Sequence, residues 1–164
     1  TSFNRRLRCR EMETALASTA LTSGQFTLPA DFLSFKYLQS DTSPPQTLLL
    51  TTGEYLADLQ SDNGIPAYYA INGTSCSCWP TGGSVKGVYY AKIPALTSTN
   101  TTNWLMTKYP DLYLFAVLEQ AAIYTRDPML EGVMSQRTER LISSVISDSR
   151  AAETSGGQLT VRVR

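Results

Sequence analysis

Few side chains in this sequence are equipped for chemistry, and histidine is not among them. Without an imidazole there is no Ser-His-Asp or Cys-His couple, no His-ligated metal and no ready acid–base group near neutral pH. Three cysteines remain, at positions 9, 76 and 78. An odd count at this spacing is not a disulfide framework, and Cys76 and Cys78 would share one face of a strand, too far apart for a relaxed disulfide. Three thiolates could hold zinc in principle, but Cys9 is remote in sequence. The expectation is small buried hydrophobes in a reducing compartment, with no metal and no cofactor. Asp58 and Asp62 could share a helix face as paired carboxylates, yet nothing apolar nearby would raise either pKa, so a solvated face is expected. No phosphate-binding loop, dinucleotide fingerprint, nucleophile elbow or EF-hand loop occurs. The chain is not expected to be an enzyme.

Composition points to association. The 164 residues carry 14 Lys+Arg against 14 Asp+Glu, so the net charge is zero. Charged residues make up 17% of the chain, below the roughly 25% of an average soluble domain. Such a surface lacks the repulsion that keeps molecules apart, and it does not suit a whole-surface nucleic-acid binder. The zero is a sum over unlike regions. Residues 1–13 hold four arginines against two glutamates, residues 14–125 four lysines against seven acids, and residues 126–158 four arginines against five acids. Arg162 and Arg164 close the balance at the end. Basic ends on an acidic middle suit head-to-tail or neighbour-to-neighbour contact. No apolar run approaches the roughly 18 residues needed to span a membrane.

The elements that must position these residues follow from periodicity. Phe3, Leu7 and Met12 lie on one helical face among Arg5, Arg6, Arg8 and Arg10, which predicts the end of a helix over residues 1–13. Alternation of Leu16, Ser18 and Ala20, a turn at residues 22–25, and renewed alternation at Phe26 and Leu28 predict strand, turn, strand. Phe32 to Leu38 resumes an extended aromatic run, and residues 48–50 make a short buried strand. Residues 52–59 predict a short helix with Thr51 or Thr52 as its N-cap and Glu54 early in the first turn. Asn72-Gly73 predicts a hairpin between strands at 67–71 and 74–79, and another turn leads into a strand over 85–93. Tyr68-Tyr69 and Tyr89-Tyr90 put one ring on each sheet face.

From Asn103 the period becomes 3.6. Tyr109-Pro110-Asp111 and Asp127-Pro128 mark two helix starts, over 109–125 and 128–150. The first has Leu112, Phe115, Leu118 and Ala122 on one stripe, widened by Leu114, Val117 and Ala121, and is expected to be buried on most sides. Residues 151–157 read as a small-residue linker. Beyond it Leu159, Val161 and Val163 alternate with Thr160, Arg162 and Arg164, a strand with no partner nearby in sequence. It either folds back on the β-region or pairs with another protein by strand addition. Asn72-Gly-Thr74 and Asn100-Thr-Thr102 match glycosylation sequons, but such triplets arise often by chance.

Five stretches, in this order and spacing, carry a resemblance. They are Asn4-Arg-Arg-Leu-Arg-Cys-Arg-Glu-Met-Glu13, Phe26-Thr-Leu-Pro-Ala-Asp-Phe32, Gly64-Ile-Pro-Ala-Tyr-Tyr-Ala-Ile71 and Tyr89-Tyr-Ala-Lys-Ile-Pro-Ala-Leu96. The fifth is Asn100-Thr-Thr-Asn-Trp-Leu-Met-Thr-Lys-Tyr-Pro-Asp-Leu-Tyr113. Together they resemble the head-to-tail adaptor, or connector, proteins of tailed double-stranded DNA bacteriophages. The most distinctive block holds Asn103, Trp104, Leu105, Tyr109, Pro110, Asp111, Leu112 and Tyr113.

The resemblance implies an α+β fold: a bundle of N- and C-terminal helices, a small antiparallel β-subdomain inserted over about 14–98, and an extended arm at 151–164. Residues 1–150 would form a single adaptor domain. It further implies a virion protein, made in the host bacterial cytoplasm, forming a ring of usually twelve copies at the head-to-tail interface. That ring would bind the portal protein and the next tail (nozzle) protein and let DNA pass without sequence-specific binding. Portal attachment would fall on Leu159, Thr160, Val161, Arg162, Val163 and Arg164. Arg5, Arg6, Arg8 and Arg10 would serve intersubunit contacts with acids such as Asp111 or Glu119. Two alternatives stand beside this reading: a tail-completion or stopper protein of the same virion, and a small carboxylate-dependent cell-wall hydrolase, for which Asp58 and Asp62 are poor candidates.

Overall fold

A computed structural model describes residues 3–60 and 62–154. It is 40% helix and 28% strand, so the α+β class holds. The chain divides into two compact units, one of Met12–Lys92 and the other of the residues before and after it.

The β unit is built from β1 (Glu13–Ala20), β2 (Gln25–Thr27), β3 (Phe32–Ser40), β4 (Leu49–Leu50), helix α2 (Gly53–Asp58), β5 (Tyr68–Asn72), β6 (Ser75–Trp79) and β7 (Ser84–Ala91). β7 is the centre of a three-stranded antiparallel sheet between β1 and β3, and a second sheet runs β2-β6-β5-β4. Gly87 lies where β7 crosses β3; a Cβ there would stand 2.3 Å from the Tyr37 carbonyl oxygen, so the close pairing needs glycine. The hairpin expected at Asn72-Gly73 forms. Asn72 pairs with Ser75, and Gly73, at φ +61°, opens its two-residue loop. Both sheets feed one core of Phe26, Leu28, Leu38, Leu48, Cys76, Cys78 and Val85, flanked by Phe32, Phe35 and Tyr69. The tyrosine pairs split as their alternation requires. Tyr69 meets Phe35 edge-on at 5.5 Å, while Tyr68 lies against Tyr55 and Trp79.

One expectation is corrected here. The strand at residues 48–50 is not buried as a whole: Leu48 is, but β4 forms the end of its sheet with Leu49 and Leu50 61% and 67% exposed. Apolar character alone did not separate a core strand from an edge.

The other unit holds α1 (Phe3–Arg6), α3 (Trp104–Lys108), α4 (Pro110–Thr125) and α5 (Pro128–Thr154). Both predicted helix starts are realised, with Pro110 and Pro128 at the first helical position. Between the two long helices Arg126 takes the left-handed conformation at φ 56°. Asp127 then caps α5, its carboxylate accepting from the Met129 and Leu130 amides. α4 packs on α5.

The helix expected over residues 1–13 is broken. It is helical at Phe3–Arg6, a 3₁₀ turn follows at Arg10–Met12, and Glu13 already pairs with Tyr90 in the sheet. Leu7 and Cys9 are both fully buried. A two-residue spacing cannot put both on one helical face, so their burial favours non-helical backbone between the turns. At the other end α5 continues to Thr154, past the predicted boundary at 150. The interior expectation for α4 also fails: Leu112 and Ala122 are buried, but Leu114, Val117 and Leu118 are exposed.

Candidate assembly interface

Asn103 organises the most distinctive sequence block. It is 93% buried and caps α3, its Oδ1 accepting from the Met106 amide at 2.9 Å. Its Nδ2 donates to the Pro94 carbonyl at 2.8 Å and to the Tyr113 hydroxyl at 2.9 Å. One side chain thus ties the 94–103 loop, α3 and α4 together. Leu105 and Leu112 are wholly buried, and Tyr109 ends α3 where Pro110 starts α4. Trp104 opens α3, and Asp111 accepts from the Leu112 amide in the first turn of α4. Tyr113 also meets Phe3 edge-on at 5.5 Å, which brings the N-terminal segment to α4.

Ion pairs pin that segment. Arg6 donates to both carboxylate oxygens of Glu139 on α5, and Lys108 pairs with Glu11. The Arg6 hydrogen bonds hold the Glu139 carboxyl below its ordinary value. For Glu11, burial pushes upward, but the hydrogen bond from Lys108 with the charges of Lys108 and Arg10 brings the carboxyl below its ordinary value. The Asn4 Oδ1 accepts from the Ile93 amide, and the Arg10 amide donates to Ser149 Oγ. Arg8 donates to the Asn4 and Leu7 carbonyls. Arg5 is exposed. Of the four arginines named for intersubunit contact, Arg6 is therefore spent within its own chain.

The chemically equipped residues do not assemble. Asp58 is the last residue of α2, and Asp62 lies beyond the Leu59 cap, so the two share no helix face. Cys76 and Cys78 sit in the β-unit core, and Cys9 is buried in the other unit. Burial, with the Glu11 charge, pushes the Cys9 thiol up to about 11. The Cys76 thiol is raised by hydrogen bonding with Cys78 and by burial. The Cys9 and Cys76 thiols are therefore buried and protonated at neutral pH. Among the described residues no group of three His, Cys, Asp or Glu side chains could hold a metal ion, and no helix is long and apolar enough to cross a membrane.

What the helical unit does present is an open apolar face. On α4, Leu114, Val117 and Tyr124 recur at three- and seven-residue steps and are 57%, 63% and 88% exposed. In the first turns of α5, Met129, Leu130 and Val133 are exposed too. Meanwhile the opposite side of α4 turns Leu112 and Ala122 inward, and Phe115 lies under the Arg137 guanidinium at 5.3 Å. A helix apolar all round is ordinarily buried all round. Here half of it faces solvent. Sequence reading missed this face, although its signal, apolar residues on every side of α4, was on view.

The profile of the SU10 adaptor protein family matches residues 1–163. The chain belongs to the SU10 adaptor protein family. This is a phage head–tail adaptor family, which gives the chain a structural role in the virion and contacts with other virion proteins. No curated protein matches the chain. The residues 159–164 named for portal attachment lie outside the described residues.

Proposed function

We propose that this adaptor acts as one subunit of a ring of twelve copies between the portal protein and the next tail protein, continuing the DNA channel. The single observation that carries this reading is the outward apolar face of α4, Leu114, Val117 and Tyr124. In a ring every copy covers its neighbour's face, and the helical bundle implied by the resemblance is completed between copies. The near-neutral composition suits a lumen through which DNA slides without tight basic grip. Portal attachment belongs to Leu159, Thr160, Val161, Arg162, Val163 and Arg164, whose strict alternation fits strand addition to a sheet edge. Arg5 and Arg10 remain the arginines for contacts between copies. Deleting residues 156–164 should leave a folded protein that no longer binds portal in a pull-down. Val161→Pro, which removes a ladder donor, should act like the deletion, whereas Val161→Ile should bind as before. Unchanged portal binding by the deletion variant overturns the assignment of the arm.

A further inference from the structure

A closed ring of more than two copies is held by a heterologous contact, in which two different surfaces of each copy meet. Two exposed surfaces of opposite charge suit such a contact. By sequence the β unit, Met12–Lys92, holds three lysines against six acids, and the rest of the chain eleven basic against eight acidic residues. The two units therefore carry −3 and +3. Within the β unit Lys36 pairs with Glu13 and Lys86 with Asp41, and no basic residue occurs between positions 37 and 85. Glu54 and Asp58, one turn apart on α2, are exposed and form no ion pair among the described residues. Beside them Tyr55 is half exposed, and its ring meets Tyr68, the β5 partner of the exposed Leu49. The result is an apolar strip edged by two carboxylates.

On α5, Met129, Val133, Arg137 and Arg140 follow at four-, four- and three-residue steps, so they share one helical face. All four are exposed, while Thr138, Ile142, Val145 and Ser149 are buried on the other side. We propose that this α5 face of one copy docks on the α2–β4 surface of the next. Met129 and Val133 cover Tyr55 and Leu49, and Arg137 and Arg140 meet Glu54 and Asp58. Arg137 can stack on Phe115 and still donate in the plane of its guanidinium. Tyrosine, methionine and arginine are also the residues in which interfaces are enriched. Because the charges are exposed, they fix which surfaces meet more than how tightly. A two-fold pairing of like surfaces would set arginines against arginines on α5, or carboxylates against carboxylates on α2. Charge therefore favours the head-to-tail arrangement over such a dimer. The inference rests on the ring reading and names a pair of surfaces by which its copies meet.

The test uses the full-length chain in sedimentation velocity, alone and with portal from the same phage. One variant combines Glu54→Lys with Asp58→Lys, the other Arg137→Glu with Arg140→Glu. Each alone should associate at least tenfold more weakly than the parent. An equimolar mixture of the two should associate like the parent, because opposite charges then face each other at every boundary of an alternating assembly. The milder Glu54→Gln with Asp58→Asn should weaken association less and flatten its dependence on salt. Parent-like association of either reversal variant overturns the proposal, as does a mixture no stronger than its components. Reversal on α2 that spares association but abolishes portal binding assigns that surface to the portal and overturns it too. A mixture that recovers in assemblies other than a twelve-fold ring keeps the contact and loses the ring. A twelve-fold parent ring indifferent to both reversals loses only the contact.

Discussion

Asn103 and the N-terminal ion pairs decide how the helical unit is held, and both make predictions at the scale of single side chains. Asn103→Ala removes the α3 cap and strips donors from the Pro94 carbonyl and the Tyr113 hydroxyl. Loss of a cap costs about 1 kcal/mol, and a buried polar group left unpaired about 1–3 kcal/mol. The variant should lose about 2 kcal/mol in denaturant unfolding, with a Tm lower by roughly 4–8 °C. Asn103→Asp keeps the cap acceptor but not the donors and should fall between. The sequence revealed that residues 103–113 belong together. It did not reveal why, because the Pro94 and Tyr113 partners of one amide become neighbours only after the loop folds back.

The ion pairs set a pH response. Glu11 and Glu139 are both held below the ordinary 4.5, so their contribution is fully present above about pH 4.5 and lost as pH falls through the lower folded values. Arg6 and Lys108 are raised, so theirs persists until far above neutrality. Protection of the Leu7 and Arg10 amides from hydrogen exchange, corrected for intrinsic rates, should be constant between pH 6 and 8 and fall below pH 4.5. Constant protection down to pH 3 would mean that the buried Leu7 and Cys9, not the pairs, anchor the segment.

At the scale of elements, α4 shows what periodicity can and cannot say. The 3.6-residue repeat and Pro110 placed the helix correctly, and its apolar surround was legible. Burial on most sides did not follow: the described residues cover one side of α4 and leave Leu114, Val117 and Tyr124 exposed. Val117→Asp puts a charge into that outward face while touching nothing in the chain's own core. It should leave the far-UV CD spectrum and Tm within a few degrees of the parent and shift sedimentation toward the monomer, weakening association at least tenfold. Retained association would move the interface elsewhere. The opposite case is residues 7–13. Their spacing suits a helix, yet the burial of both Leu7 and Cys9 and the pairing of Glu13 with Tyr90 override it. Such tertiary demands are not written in a local pattern.

For the whole molecule, the zero net charge resolves into a basic N-terminal segment pinned by the Arg6–Glu139 and Glu11–Lys108 pairs, an apolar β core, and a helical unit with an apolar face left open. The sequence has no histidine, and the Cys9 and Cys76 thiols are buried and raised. The α+β class and the order of its elements were legible from alternation and turn chemistry. The broken first helix, the edge position of β4 and the open side of α4 were not, because each depends on contacts made across the folded chain or beyond it. The most direct measurement is electron microscopy of the purified full-length protein mixed with the portal from the same phage. A twelve-fold ring seated on the portal, with the α4 faces buried between neighbouring copies, is the predicted result. Monomers that leave the portal bare, or a ring in which Leu114, Val117 and Tyr124 stay open to solvent, would contradict it.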